Sequence, residues 1–153
     1  MGVTVGVNKR SVVHKDSGGM TPCFPDVCKI PAPGTPPVPF PNFSFSSDTA
    51  KGSKSVKMDG NPVCLKDSEF SKSTGDEPGS VKGVASGTVA DRATFVTWSA
   101  DTFVEGKNVE RAFDLMLHNN KNTPPFPVIQ PPIIVPPISL KVLCPCCGKP
   151  WSK

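Results

Sequence analysis

The chain of 153 residues has no tyrosine, and it lacks the patterns on which several functional classes depend. No unbroken apolar run approaches the roughly 20 residues that a membrane-spanning helix needs. The N-terminus has no charged region followed by an apolar run, so no secretory signal peptide is predicted. The net charge of +4 is spread along the chain without a basic block. We therefore expect no nucleic-acid partner.

Signatures of catalysis are also missing from the sequence. There is no GxSxG, HExxH, phosphate-binding loop or paired-carboxylate motif. A cysteine and a histidine could form a nucleophile and its base, but no spacing in the chain favours that pair. The sequence therefore predicts a protein that is not an enzyme. The enzymatic alternative would require a pocket in which a metal keeps an open coordination position.

Three similar stretches are present, each with a tight turn between alternating apolar residues. Alignment of Asn8 with Asp59 places the first KDS run on the second without gaps, and alignment of Gly60 with Gly106 pairs Val63 with Val109. This pattern predicts three β-hairpins, and a unit that occurs three times in a short chain indicates repetition around an axis. The stretches are TVGVNKRSVVHKDS (4–17), SVKMDGNPVCLKDS (55–68) and TFVEGKNVERAFDL (102–115).

The remaining patterns also favour β-structure. Residues 88–98 predict a strand with Ala93 and Phe95 on one face, and residues 114–120 are either a helical turn or the end of a strand. No amphipathic helix of three turns is visible. The predicted fold class is all-β: three hairpin repeats with pseudo-threefold symmetry, proline-rich straps and little helix.

Proline dominates two segments of the chain. Residues 21–45 are predicted to run as an extended, polyproline-like strap over the sheet, because proline lacks a backbone donor and has a fixed φ. The alternative is a ligand for the aromatic groove of a partner. Residues 71–86 form a polar, glycine-rich stretch that we expect to be an exposed loop. We place the β-domain at 1–122 and a proline-rich extension at 123–153, which packs along the domain or awaits a partner.

The extension ends in a cysteine motif with the shape of a zinc knuckle. Cys144 and Cys147 form a C-x-x-C followed by Gly148, and Cys146 lies between them. One knuckle supplies two of the four nitrogen or sulfur ligands that Zn²⁺ prefers. The other ligands must come from elsewhere in the chain.

Candidates for those further ligands differ in their surroundings. Cys64 lies between two apolar residues and is expected to be a small buried hydrophobe, and His14 is expected to be a strand-face side chain. Cys28 and His118 each follow a hairpin, where units repeated around an axis would bring their ends together. The predicted zinc ligands are therefore Cys28, His118, Cys144 and Cys147, with Cys23 and Cys146 as alternates.

Several of these segments resemble the PAAR-like (Tox-PAAR-like) family. The resemblance covers about 3–122, and its family hallmark, GxPAAR, is present only in part, as Gly60-Asn61-Pro62 and at Gly106 to Arg111. The segments that carry it are VVHKDSGG, FPDVCKIPAPG, KGSKSVKMDGNPVCLKDSEFSKSTGDEPGS and FVEGKNVERAFDLMLHNN.

The resemblance implies a function as well as a fold. PAAR-related proteins are small β cones, one of which sits on a trimeric VgrG-type spike of a contractile injection system such as type VI secretion. They hold a metal, usually zinc, and the matching positions here are Cys28 (or Cys23) and His118, whereas no cysteine or histidine closely follows the second unit. The implied role is a non-enzymatic tip, one per spike trimer, which can carry effector or toxin cargo.

The implied location follows from that role: the bacterial cytoplasm before firing, then a target cell, with transient contact with the target membrane. The alternative function is a small zinc-binding module that recruits partners through its proline-rich segments.

Overall fold

The computed structural model describes residues 3–131. Within this range the chain has two long strands (Met20–Lys29 and Pro37–Phe45), strands of two or three residues elsewhere, and one 3₁₀ turn at Ser46–Asp48. None of its helical structure is long and apolar enough to cross a membrane. The strands are β1 (Gly6–Val7), β2 (Arg10–Ser11), β3 (Met20–Lys29), β4 (Pro37–Phe45), β5 (Thr49–Ala50), β6 (Lys57–Met58), β7 (Asn61–Pro62), β8 (Glu69–Phe70), β9 (Ala93–Phe95), β10 (Phe103–Val104), β11 (Lys107–Asn108), β12 (Leu115–Leu117) and β13 (Phe126–Pro127).

The three predicted hairpins are present as β1–β2, β6–β7 and β10–β11, each an antiparallel pair. Both central residues of every turn have a positive φ, as expected for the type I′ turns that match the twist of paired strands. These residues are Asn8 and Lys9, Asp59 and Gly60, and Glu105 and Gly106. The turn chemistry seen in the sequence therefore sets the geometry of all three units.

The strand that leaves each hairpin pairs with the next unit around a common axis. The three bridges are antiparallel and join Val12 to Arg111, His14 to Val63, and Leu65 to Val109. In every bridge, the valine of one unit (Val12, Val63 or Val109) pairs with the residue two positions after the equivalent valine of a neighbouring unit. The arrangement is therefore cyclic, and the pseudo-threefold symmetry expected from the repeat is confirmed.

A closed ring of backbone hydrogen bonds lies at the centre of this arrangement. The Cys64 N–H donates to the Val13 carbonyl (2.8 Å), the Glu110 N–H to the Cys64 carbonyl (3.0 Å), and the Val13 N–H to the Glu110 carbonyl (3.3 Å). We call Val13, Cys64 and Glu110 the threefold ring. None of the three units can complete its hydrogen bonding in the ring without the other two.

The strands of the threefold ring separate two apolar cores, because successive side chains of a strand point to opposite faces. On the hairpin side, Val12, Val63 and Val109 are fully buried and pack with neighbouring valines and leucine. On the other side, Val13 and Cys64 pack against a second cluster. The described members of that cluster are Val13, Cys64, Phe70, Ala93, Phe95, Met116 and Val128.

Each hairpin turn is also fastened to the start of the preceding unit in the ring. Carboxylates of the turn accept backbone N–H groups at two of these junctions, and the amide of Asn8 donates to a carboxylate at the third. We call these contacts the tip belt. They are Thr4 N–H to Asp59 (3.0 Å), Ser55 N–H to Glu105 (2.6 Å) and Asn8 Nδ2 to Asp101 Oδ1 (2.9 Å).

A five-stranded sheet in the order β13-β12-β9-β8-β5 lies beside the three units. Ala93 and Phe95 on β9 are buried on one face, as predicted, and Phe70 packs edge-on against Phe95 with ring centroids 5.6 Å apart. Residues 115–117 form the strand β12 rather than a helical turn. β13, from within the predicted extension, pairs with β12.

The proline-rich strap is more regular than predicted. Instead of a polyproline-like chain, residues 20–29 and 37–45 pair as the antiparallel strands β3 and β4, with a register shift between Cys23 and Asp26. Each strand of a two-stranded sheet has one edge that is not paired within the sheet. A proline whose backbone nitrogen faces that edge removes no hydrogen bond between the two strands. The prolines at 37, 39 and 41 on β4 are exposed and alternate with less exposed residues.

Candidate functional site

Three side chains that can bind a metal lie close together on the buried face of β3. Asp26, Cys28 and Asp76 are each fully buried, and one ligand atom from each lies within 4.8 Å of the others. Asp26 and Cys28 are two positions apart on β3, so their side chains share a face. We call these three residues the Asp-Cys-Asp group. The Cys28 thiol lies 3.5 Å from Asp26 Oδ1 and 3.7 Å from Asp76 Oδ2.

Three asparagine amides surround this group. Asn42 Nδ2 donates to Asp26 Oδ2 (2.6 Å), Asn119 Nδ2 donates to Asp26 Oδ1 (3.4 Å), and Asn122 Nδ2 also donates to Asp26 Oδ1. The orientation of each amide is fixed, because its oxygen accepts backbone N–H groups on the other side. The amides therefore hold the Asp26 carboxylate in place beside the Cys28 thiol.

Asp76 reaches the group because the predicted exposed loop at 71–86 folds inward. Most residues of this stretch are exposed, as expected, but Ser73 and Asp76 are fully buried. Side-chain size explains the approach: a Cβ at Gly79 would lie 2.2 Å from Cys28 Cβ. Only glycine leaves room for this segment against β3. The Ala90 N–H donates to Asp76 Oδ2 (2.9 Å).

Burial controls the protonation of the group. Burial, followed by the nearby Asp26 and Asp76 carboxylates, raises the pKa of the Cys28 thiol to about 12. Burial likewise raises the pKa of the Asp76 carboxyl. Two buried acids beside a thiol are stable only when protons or a cation balance their charge.

The donor chemistry of the group fits a divalent metal. Carboxylate oxygens and a thiolate are ligands of Zn²⁺ in proteins, and amides that orient a ligating carboxylate are a common support for such sites. Asp76 Oδ1 is buried and has no hydrogen-bond partner among residues 3–131, so it retains lone pairs for a ligand. The group can therefore supply three ligands.

The residues predicted as zinc ligands are brought together only in part. Cys28 belongs to the Asp-Cys-Asp group, but His118 does not. His118 is fully buried, its Nε2 lies 3.1 Å from Thr21 Oγ1, and burial lowers its pKa to about 4. The alternate Cys23 is buried in β3, and burial raises its pKa to about 12.

The other candidate ligands have separate locations. Cys64 is fully buried in the threefold ring, as expected for a small hydrophobe. His14 is a buried strand residue whose Nε2 lies 3.3 Å from Asp59 Oδ2. The predicted ligands Cys144 and Cys147 and the alternate Cys146 lie outside the described residues.

Sequence reasoning missed Asp26 and Asp76. For Asp26 a signal was available, because the Asp-Val-Cys spacing in an extended segment places the carboxylate and the thiol on one face. For Asp76 the sequence offers none that we can identify. It lies 48 positions from Cys28 in a loop of small polar residues, and only the folded chain shows that this loop turns inward.

A cyclic, three-unit all-β fold with a buried metal-competent group defines the class of protein to which this chain belongs. Residues 19–125 match the family model described as the toxin PAAR-like domain. The chain is therefore a member of the toxin PAAR-like domain family. No solved structure matches the chain.

One curated relative adds information on activity. The chain is 36% identical over 138 residues to the DNase toxin Tse7 of Pseudomonas aeruginosa strain PAO1, in an alignment that covers 82% of this chain. The same alignment covers 36% of the relative, so the chain spans about a third of that protein's length.

This match contradicts one expectation from the sequence and weakens another. The prediction that the protein is not an enzyme is contradicted, because the relative is a DNase toxin. The exclusion of a nucleic-acid partner is weakened for the same reason. Both expectations depended on the lack of a known catalytic motif and of a basic block, and such absences do not exclude a nuclease that uses neither.

Proposed function

We propose that this chain is the spike-associated module of a type VI secretion effector and that it caps a trimeric VgrG-type spike. The threefold ring is the observation that carries the proposal. A single chain with three equivalent units can present each unit to one subunit of a homotrimer, so that quasi-equivalent contacts replace exact symmetry. Membership of the toxin PAAR-like domain family supports this role.

The proposal includes the path of the protein. The chain would reside in the bacterial cytoplasm until firing and then enter a target cell at the head of the spike, in transient contact with the target membrane. A compact tip is suited to puncture because its three units are joined by backbone hydrogen bonds at one axis. The delivered cargo would be a toxin activity.

Stoichiometry tests this proposal. The chain should co-purify with a trimeric VgrG-type spike protein, and native mass spectrometry should give one chain for each spike trimer. Substitution of Val63 by Asp places a charge in the hairpin-side core and should abolish the complex, whereas the matched Val84→Asp at an exposed position should not. A complex with three chains for each trimer would contradict the symmetry argument.

We also propose that the delivered activity is a DNase activity, because the named relative is a DNase toxin. The purified chain is incubated with supercoiled plasmid and Mg²⁺, with and without a chelator. Conversion of the plasmid to nicked and linear forms, lost with the chelator, would support the proposal for this chain. Intact plasmid at an equimolar ratio of chain to DNA would contradict it.

We propose further that the Asp-Cys-Asp group binds Zn²⁺ and that the metal stabilises the junction between β3 and the 73–79 segment. Metal content of the purified protein should fall in the Cys28→Ser and Asp76→Asn variants and remain unchanged in the control Cys64→Ser, a buried cysteine outside the group. Loss of metal in the control alone, or no change in either ligand variant, would contradict this assignment. Parallel measurements on His118→Ala and Cys147→Ser test the ligands predicted from the sequence.

A further inference from the structure

A groove on the five-stranded sheet has no role in the functions proposed so far. It has a volume of about 750 Å³ and lies over β8 and β9, between the turn after Leu65 and the segment at 120–121. Cavities of this size accept a small ligand or a short peptide segment. We call it the Trp98 groove, after the aromatic residue in its lining.

Positive charge is in excess in the Trp98 groove. Its lining contains Lys51, Lys66, Arg92 and Lys121, together with the acidic Asp67 and Glu69. Glu69 is shared by Lys51 (3.0 Å) and Arg92 (3.8 Å), and Asp67 pairs with Lys107, which is not part of the lining. Within residues 3–131, Lys66 and Lys121 have no carboxylate at ion-pair distance. An acidic ligand would complement both ammonium groups.

Several polar groups in the lining are already held in position. The Lys66 ammonium lies 4.5 Å from the centroid of the Trp98 ring, so a cation–π contact orients it. Arg92 Nη2 donates to Asn120 Oδ1 (3.4 Å). The buried atoms Arg92 Nε and Thr94 Oγ1 have no hydrogen-bond partner in the described part of the chain. Buried polar atoms are normally paired, so these two indicate a missing partner.

We propose that the Trp98 groove binds an extended, acidic segment of a partner protein. Side-chain carboxylates of that segment would pair with Lys66 and Lys121, and its apolar side chains would contact Trp98 and Val96, which also line the groove. A nucleic acid fits less well, because its continuous run of phosphates would face Asp67 and Glu69. A peptide can place uncharged residues at those two carboxylates.

The test uses a fluorescein-labelled peptide of alternating glutamate and leucine, with fluorescence anisotropy as the readout. We expect saturable binding that weakens with salt, and a loss of affinity of about tenfold or more in the double variant Lys66→Glu, Lys121→Glu. Both lysines are exposed, so the variant should remain folded. Lys57→Glu, an exposed lysine on β6 that does not line the groove, should bind as the wild type does.

Three outcomes would overturn this inference. They are an absence of binding, equal binding of a lysine–leucine peptide, and tighter binding of a single-stranded oligothymidine than of the acidic peptide. The last outcome would assign the groove to nucleic acid instead. No spike protein is present in the assay, so its result is independent of whether the chain caps a trimer.

Discussion

Glu110 differs in chemistry from the other two members of the threefold ring. The ring positions equivalent to it are Val13 and Cys64, which are apolar and packed in a core, whereas Glu110 is a fully buried acid. Neither of its carboxyl oxygens has a hydrogen-bond partner among residues 3–131. Burial, followed by the nearby Asp114, raises the pKa of Glu110 to about 9, so this carboxyl is protonated at neutral pH.

Because the pKa of Glu110 is raised on folding, the free energy of unfolding falls as the pH rises. In the unfolded chain Glu110 ionises near its ordinary value of about 4.5, while in the folded chain it stays protonated up to about 9. Its contribution is therefore complete below pH 4.5 and is lost as the pH rises through 9. The loss approaches about 1.4 kcal/mol for each pH unit in that window.

We predict that Glu110→Gln reduces this pH dependence. Free energies of unfolding, measured by urea titration at pH 5 and pH 8, should differ less in the variant than in the wild type, because glutamine carries no proton that can be lost on unfolding. The control Asp16→Asn changes an exposed carboxyl and should leave the difference as it is. An unchanged pH dependence in Glu110→Gln would show that the carboxyl is not the cause.

At the scale of the elements, the hairpins were predictable and the strap and loop were less so. The turn residues and alternating valines specify each hairpin locally, and the shared register of the first two copies indicated a unit repeated around an axis. The prolines did not predict the pairing of β3 with β4. A proline is tolerated in a strand where its nitrogen faces a free edge, and the sequence does not show which edge of each strand is free. Asp76 was missed because its burial depends on the inward fold of a loop.

A single glycine tests that inward fold. Gly75 has a φ of +133°, and a Cβ there would lie 2.1 Å from the carbonyl oxygen of Pro41. Gly75→Ala should therefore force the 73–76 segment away from β4 and lower the free energy of unfolding by about 2–4 kcal/mol.

Gly34→Ala is the matched control for this change. Gly34 also has a positive φ, +81°, but its Cβ would meet nothing within 4 Å. The expected loss is about 1–2 kcal/mol, from backbone strain alone. Equal losses in the two variants, measured by urea titration, would indicate that Gly75 contributes only its conformation and not the close approach to Pro41.

At the scale of the whole molecule, the tip belt joins all three units around the axis. Glu105 accepts N–H groups from Ser55 and Lys54, and these bonds lower the pKa of its carboxyl to about 2. A lowered pKa stabilises the fold above the ordinary value of about 4.5, and this contribution disappears as the pH falls through 2.

We predict that Glu105→Gln lowers the melting temperature by a few degrees at pH 7 and by much less near pH 2, where about half of the wild-type carboxyl groups are already protonated. Thermal unfolding followed by circular dichroism at both pH values provides the measurement. Glu77→Gln changes an exposed acid outside the belt and is the control. A decrease of the same size at both pH values would attribute the effect to shape and not to charge.

The closed ring of Val13, Cys64 and Glu110 has a further consequence for biosynthesis. Its members are separated by 51 and 46 positions along the chain, so the first unit has no partner to complete it until translation has passed the third. Formation of such distant contacts is slow relative to that of local ones. The nascent chain should therefore expose its valine-rich segments until the third unit has been made, and a chaperone at the ribosome would protect them from aggregation in that interval.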